Sequence, residues 1–182
     1  MVLKRIAVDM DEVLADFSSE LIRRVNKKYD LNITKDDLMG TSLHTLYPEL
    51  SDDIFEIVNT DSFFRSLPVI KDSQEVLKEL SHHYQIIVAT AAMLSPNSFT
   101  AKYDWLREHF PFLNPNFFVF CGDKSAIKAD YLIDDHIYQL NTFGDRGIMF
   151  TSPHNIKETY DLRMDNWQEL RTYFLEKANI KV

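Results

Sequence analysis

Hydrophobic positions recur along the chain with two periods. Leu3–Val8 (LKRIAV) is a short apolar run ending on the acidic cluster Asp9-Met10-Asp11-Glu12, and it predicts a buried strand. From Asp16 the period lengthens. Phe17, Leu21, Val25 and Tyr29 stand four residues apart and predict an amphipathic helix over 16–29. Residues 30–70 differ from the rest. They carry helix-start signals at Thr34 (TKDD) and Ser51 (SDDI) and aromatics at Tyr47, Phe55, Phe63 and Phe64, but no strand pattern. After Pro68 a regular alternation begins: a helix over Ser73–Leu80, a strand over Gln85–Thr90, and a helix over Asn97–Phe110 that Pro111 stops. Strands follow at Phe117–Cys121, Tyr131–Ile133 and Gly147–Phe150, then a helix over Asp165–Lys177 capped by Asp165 or Asn166. Alternating strands and helices predict an α/β fold, a Rossmann-like parallel sheet with helices on both faces. The core would comprise 1–15 and 71–182, with a small helical cap, 16–70, inserted after the first strand.

Composition narrows the chemistry. The 182 residues include only four glycines, Gly40, Gly122, Gly144 and Gly147; average usage of about 7% would give roughly 13. No glycine-rich phosphate cradle of the dinucleotide or P-loop type can be built from them. Twenty basic and 28 acidic residues give a net charge of −8, which argues against nucleic acid polymers or anionic membranes as partners. Cys121 has no partner for an internal disulfide, the opening MVLKR leads into no apolar leader, and no stretch is long enough to span a membrane. A reducing, cytoplasmic setting is the default expectation.

In an open parallel sheet, ligands bind beyond the carboxyl ends of the strands. The first strand delivers Asp9 and Asp11 there, the second Thr90, the third Asp123 and Lys124, and the fourth Asp134 and Asp135. Crowded carboxylates repel unless a proton or cation neutralises them, and hard oxygen donors without a Cys or His cluster suit Mg2+. Phosphate would then meet the metal, the Thr90 hydroxyl, nearby backbone N–H groups and Lys124. With Asp9 and Asp11 on one side of a strand end, Asp9 can attack phosphorus to form an aspartyl-phosphate while Asp11 handles protons. Burial beneath the cap and neighbouring negative charge are expected to raise the pKa of Asp11. Gly122 is expected to ease the turn that brings Lys124 over the site.

IAVDMDEVLADF, IIVAT, DK and YLIDD, in this order, resemble the four motifs of haloacid-dehalogenase-like phosphatases. Within that superfamily DMDEVLADF, TAKYDWLREHF and GDKSAIKADYLIDD are similar to the 5′(3′)-deoxyribonucleotidases of the cytosolic type C 5′-nucleotidase family. The resemblance implies an Mg2+-dependent phosphomonoesterase acting on (deoxy)nucleoside monophosphates. It makes Asp9 the nucleophile and Asp11 the acid/base. The implied metal ligands are Asp9, the Asp11 backbone carbonyl, and one of Asp134 and Asp135, with Asp135 preferred. It assigns phosphate to Thr90, the Ala91 N–H, Lys102 and Lys124, and gives Phe17 the place of a base-packing aromatic. Phe64 is the second candidate for nucleoside contact.

Glu12 departs from that family, which commonly has glycine there, and Ala91-Ala92 replaces Ser-Pro after Thr90. Simpler roles stand beside these readings: a strand-end turn for Asp9 and Asp11, a solvated helix lysine for Lys102, cap core for Phe17 and Phe64, and a surface histidine for His136. The Pro153-His154 loop suggests no role. A phosphatase for phosphoglycolate or a sugar phosphate is the alternative enzyme, and a non-enzymatic phospho-acceptor the alternative outside enzymes. A small phosphate ester is the expected partner of a monomer or homodimer.

Overall fold

The computed structural model describes residues 3–180. Six parallel strands form one sheet: β1 (Arg5–Val8), β2 (Gln85–Thr90), β3 (Phe118–Phe120), β4 (Tyr131–Asp134), β5 (Gly147–Phe150) and β6 (Arg163–Met164), in the order β3-β2-β1-β4-β5-β6. Connections leave β1 toward β2 on one side, while β4 flanks it on the other, with Val8 level with both Val88 and Ile133. The crevice of such a sheet opens where the order reverses, beyond the carboxyl ends of β1 and β4.

Alternate residues of each strand enter two apolar layers. Ile6, Val8, Val88 and Ile133 pack with the larger cluster, which includes Leu77 and Leu80 of α5 (Ser73–Leu80), Trp105 of α6 (Ser98–His109) and Phe174 of α8 (Trp167–Lys177). Ala7, Ala89 and Leu132 face a smaller cluster with Leu140 of α7 (Ile137–Leu140). Gly147 lets β5 lie close to α7: a Cβ there would stand 2.4 Å from the Tyr160 hydroxyl and 2.9 Å from the Leu140 carbonyl.

Between β1 and α5 lie four helices, α1 (Phe17–Tyr29), α2 (Leu43–Leu46), α3 (Ser51–Val58) and α4 (Asp61–Arg65). The chain enters and leaves this segment side by side: Asp16 N donates to Pro68 O and Ile70 N to Leu14 O, each at 2.8 Å. Both tryptophans are fully buried and pin this neck. Trp105 Nε1 donates to Leu67 O at 2.8 Å and Trp167 Nε1 to Val13 O at 2.9 Å. Inside the segment, Glu20 binds Arg23, Arg24 and Ser66, which ties α1 to the end of α4.

Several boundaries differ from the sequence expectations. β1 starts at Arg5, because Leu3 is exposed. Thr34 starts no α-helix; its N–H and hydroxyl both donate to Asp37, and only a 3-10 turn over Asp36–Leu38 forms. Asn166, not Asp165, caps α8 by accepting from Gln168 N and Glu169 N. β6 has two residues and no apolar run to announce it.

Candidate active site

Asp9 is the first residue after β1, and Asp134 closes β4 with Asp135 next. Asp9, Asp134 and Asp135 are buried, and one carboxylate oxygen from each lies within 4.8 Å of the others. Burial raises the pKa of Asp9, partly opposed by Lys124, and burial pushes Asp135 up to about 8. The fully buried Lys124 bridges the group: its Nζ donates to Asp9 Oδ1 and Asp134 Oδ2, each at 2.5 Å. Burial alone would lower the pKa of that ammonium; the two carboxylates outweigh it and hold it above its ordinary value. One cation against three carboxylates leaves an excess of oxygen donors, a fitting set for a hard divalent ion.

A second lysine organises the neighbouring group. Lys102, on α6, is buried and donates to Asp11 Oδ2 at 2.6 Å and to the Thr90 hydroxyl at 2.8 Å. Its Nζ lies 4.7 Å from the centre of the Phe64 ring, within cation–π range. Asp11 departs from expectation. It is 30% exposed, and its nearest charged partner is Lys102 rather than a second carboxylate. The burial and crowding expected of Asp11 fall on Asp9 and Asp135. Its Oδ1 has no hydrogen-bond partner and is shielded from solvent. Ala91 follows Thr90 at the turn into the 3-10 segment Ala92–Leu94.

The loop after β3 is held differently from expectation. Gly122 has no left-handed φ, and a Cβ there would make only ordinary contact with Met93. The turn is fixed by Gln139, buried on α7, whose Oε1 accepts from Lys124 N and whose Nε2 donates to Gly122 O. Asp123 caps the short turn that follows by accepting from Ser125 N.

Glu12 occupies a left-handed backbone conformation, φ 60°, the region that favours glycine. Its side chain turns toward α1 and accepts from Ser18 N at 2.5 Å, and it is not one of the three clustered carboxylates. Burial pushes its carboxyl up to about 7, against the lowering effect of the Ser18 bond.

A cavity of about 690 Å³ lies beside these groups, lined by α1, α2, α3 and the strand-end loops, and reaches Asp135. Phe17 and Phe55 line it; Phe55 is 61% exposed. Phe64 does not. It is buried against Phe17 and Phe63 and supports Lys102. His44, His136 and His154 also line the cavity, as does Asn59, whose Oδ1 accepts from the Ser95 hydroxyl.

Sequence reasoning missed Gln139, Asn155 and His154. Asn155 is fully buried and donates to the carbonyls of Asp135 and Phe150, fastening the loop after β5 to the end of β4. A lone polar residue, on the one-turn helix α7 for Gln139 or in a loop for Asn155, gives no periodic signal, so only the fold reveals these two amides.

The model of the family described as 5′ nucleotidase, deoxy (pyrimidine), cytosolic type C protein matches residues 2–179. A Staphylococcus epidermidis protein provisionally named a 5′(3′)-deoxyribonucleotidase is 48% identical over 174 residues, 96% of this chain and 97% of its own length. The 5′(3′)-deoxyribonucleotidase of Bacillus subtilis is 38% identical over 172 residues, 94% of this chain and 99% of its own. Among solved structures, a haloacid dehalogenase-like hydrolase from Streptococcus pneumoniae superposes with a TM-score of 0.62 at 15% identity, over 94% of this chain and 98% of the other. A Bacillus subtilis HAD hydrolase, provisionally so named and solved with magnesium, gives 0.61 at 14%, over 99% and 100%. These last two establish the fold. Among the described residues no helix is long and apolar enough to cross a membrane.

Proposed function

The chain belongs to the deoxy (pyrimidine), cytosolic type C 5′-nucleotidase family, and we propose that it hydrolyses (deoxy)nucleoside monophosphates through a phosphorylated Asp9. It is a phosphoric monoester hydrolase of the 5′(3′)-deoxyribonucleotidase type. The observation that carries the residue assignment is the pairing of two buried lysines with the strand-end carboxylates: Lys124 with Asp9 and Asp134, Lys102 with Asp11 and Thr90. Two lysines converging on one sheet edge, beside a cavity with aromatic walls, suit a phosphate joined to a flat base.

Carboxylates of Asp9, Asp134 and Asp135, with the Asp11 backbone carbonyl, would hold Mg2+, which supplies positive charge for the phosphate oxygens. Lys102, Thr90, Lys124 and the Ala91 N–H receive those oxygens. Phosphate arriving on Lys102 takes over the cation that pairs with Asp11 and frees that carboxyl to carry a proton. Asp9 attacks phosphorus, the bond to the ester oxygen breaks, and Asp11 protonates the departing nucleoside oxygen. Asp11 then takes a proton from water, which attacks the phospho-aspartate and releases inorganic phosphate and free Asp9. Residues 16–70 act as a cap over a core of 1–15 and 71–182, excluding bulk water and large substrates. Phe17 packs against the base, and Phe64 positions Lys102 from beneath.

A phosphate-release screen over nucleoside monophosphates and common metabolite phosphates, with and without Mg2+, tests this reading. Preference for nucleotides together with Mg2+ dependence is the expected result. Strong preference for phosphoglycolate or a sugar phosphate overturns the substrate assignment.

A further inference from the structure

Asp135 faces two imidazoles as well as the acidic cluster. Its Oδ1 lies 2.8 Å from His136 Nδ1, and its Oδ2 lies 3.7 Å from His154 Nε2. One ligand atom from each of the three residues lies within 4.8 Å of the others. The rings are 4.7 Å apart, centre to centre. His154 Nε2 is shielded from solvent and has no hydrogen-bond partner, while its Nδ1 lies 3.0 Å from the Ser152 hydroxyl. With Nδ1 donating to Ser152, Nε2 carries a bare lone pair. A lone pair and a carboxylate oxygen thus confront each other with no donor between them.

We propose that Asp135, His136 and His154 form a second metal site, for Zn2+ or a divalent ion of similar character. Two imidazole nitrogens and one carboxylate oxygen are a zinc-type donor set, distinct from the all-oxygen set at Asp9. Arms of about 2.1 Å in a tetrahedron place ligands about 3.4 Å apart; His136 stands 2.8 Å from one Asp135 oxygen and His154 3.7 Å from the other, and one ligand atom from each residue falls within 4.8 Å of the rest, so small side-chain rotations close the site. The ion takes the place of the direct contact between His136 Nδ1 and Asp135 Oδ1. The supporting shell is built: Ser152 orients His154, and Asn155 holds the 152–155 turn by accepting from Ser152 N and donating to Asp135 O. All three ligands line the cavity, and His136 is half-exposed, which gives the ion an entry path and a fourth position for water.

Sharing of Asp135 couples the two sites. Zn2+ on the histidine side withdraws a carboxylate from the hard-ion cluster, so Zn2+ inhibits turnover and Mg2+ opposes the inhibition. That consequence rests on the proposed function; Zn2+ binding does not.

The test is calorimetric titration of Zn2+, with Co2+ followed in parallel by visible absorption, on the wild type, His136→Ala, His154→Ala and Asp9→Asn. Circular dichroism checks each fold, and the half-exposed His136 provides a variant that leaves the core untouched. One equivalent of Zn2+ is expected on the wild type and Asp9→Asn. Each histidine variant is expected to bind at least about tenfold more weakly and to lose the Co2+ bands. Unchanged Zn2+ affinity in both histidine variants overturns the proposal. So does loss of binding in Asp9→Asn alone, which would assign the ion to the acidic cluster. The phosphatase reading fails separately, through the substrate screen.

Discussion

Replacing Lys124 with methionine isolates the electrostatics of the site from its packing. Methionine fills similar volume and removes the charge. The lysine is fully buried, and both its partners, Asp9 and Asp134, are buried as well. Removing one partner of such a group strands the others in a poorly solvated interior, at a cost of about 3–5 kcal/mol. For a chain of this size each kcal/mol moves the melting temperature by about 2–4 °C, so the metal-free variant should melt about 6–20 °C below the wild type. A divalent ion bound by the same carboxylates should offset part of that loss. At a concentration of 100 Kd, ligand linkage contributes about 2.7 kcal/mol. The variant should gain more from Mg2+ than the wild type, in which the ammonium already occupies part of the cluster and repels a second cation. Differential scanning calorimetry of both proteins, with EDTA and with a Mg2+ series, reads the two shifts. Equal melting temperatures in EDTA would refute the claim that Lys124 neutralises the cluster. An equal Mg2+ shift in both proteins would refute the claim that lysine and metal share the same oxygens.

Asp9→Asn should lower kcat by several orders of magnitude while leaving the melting temperature within a few degrees, because Asp134 still holds Lys124. Near-normal hydrolysis in that variant would remove Asp9 as nucleophile. Phe17→Ala should raise KM for nucleotides roughly 2- to 12-fold, the value of one aromatic contact, and change KM for p-nitrophenyl phosphate less; equal effects would make Phe17 structural. Glu20 is buried, which alone would raise its pKa, yet hydrogen bonds from Arg23, Ser66 and Arg24 bring it from 4.5 to about 2. The carboxylate therefore stabilises the fold fully above pH 4.5, and that contribution fades as pH falls toward 2. Glu20→Gln should cost about 1.5–3 kcal/mol at pH 7 and much less at pH 3, by denaturant titration; a gap independent of pH would refute the assignment.

The sheet was legible because its strands are central and parallel. IAV and IIVA are apolar on both faces, and only a buried strand tolerates that. α1 was legible because its core residues repeat with the helical period, and Asp16 caps it by accepting from Ser19 N. What escaped was structure supported from outside the segment. β6 exists because Thr151 N donates to Met164 O and Met149 N to Leu162 O, so its partner β5 supplies the order. At TKDD, Asp37 does reach back to Thr34 as a capping box requires, but only a 3-10 turn follows before Gly40, at φ 73°, turns the chain away. Local capping chemistry was present there without an apolar face long enough to sustain a helix.

The site divides along the same line. Asp9, Asp11, Thr90, Lys124, Asp134 and Asp135 could be read because each follows or closes a strand, a position fixed by the sheet itself, whereas Lys102 on α6 and Phe17 on α1 were assigned only through the family resemblance. The partners could not be read. Lys124 meets Asp9 across 115 residues of chain and Lys102 meets Asp11 across 91, and no local pattern records such pairings. That gap explains the displaced expectation for Asp11. Sequence alone could count the negative charges but not assign Lys102 to one of them, so the shielded carboxyl was sought at Asp11 while the fold buried Asp9 and Asp135. It also explains why Asn155 and Gln139 stayed hidden. Each satisfies backbone groups of two distant segments at once, and a buried amide of this kind owes its place to the loops it joins. The glycine shortage then takes on a structural meaning. Where glycine-loop phosphate sites bring backbone N–H groups close through backbone freedom, this chain fastens its strand-end turns with side-chain amides and even sets Glu12 in a glycine-like conformation. The strand-end loops are therefore held by the core rather than by their own backbone freedom, and their geometry stands or falls with the packing of β1, β4 and α7.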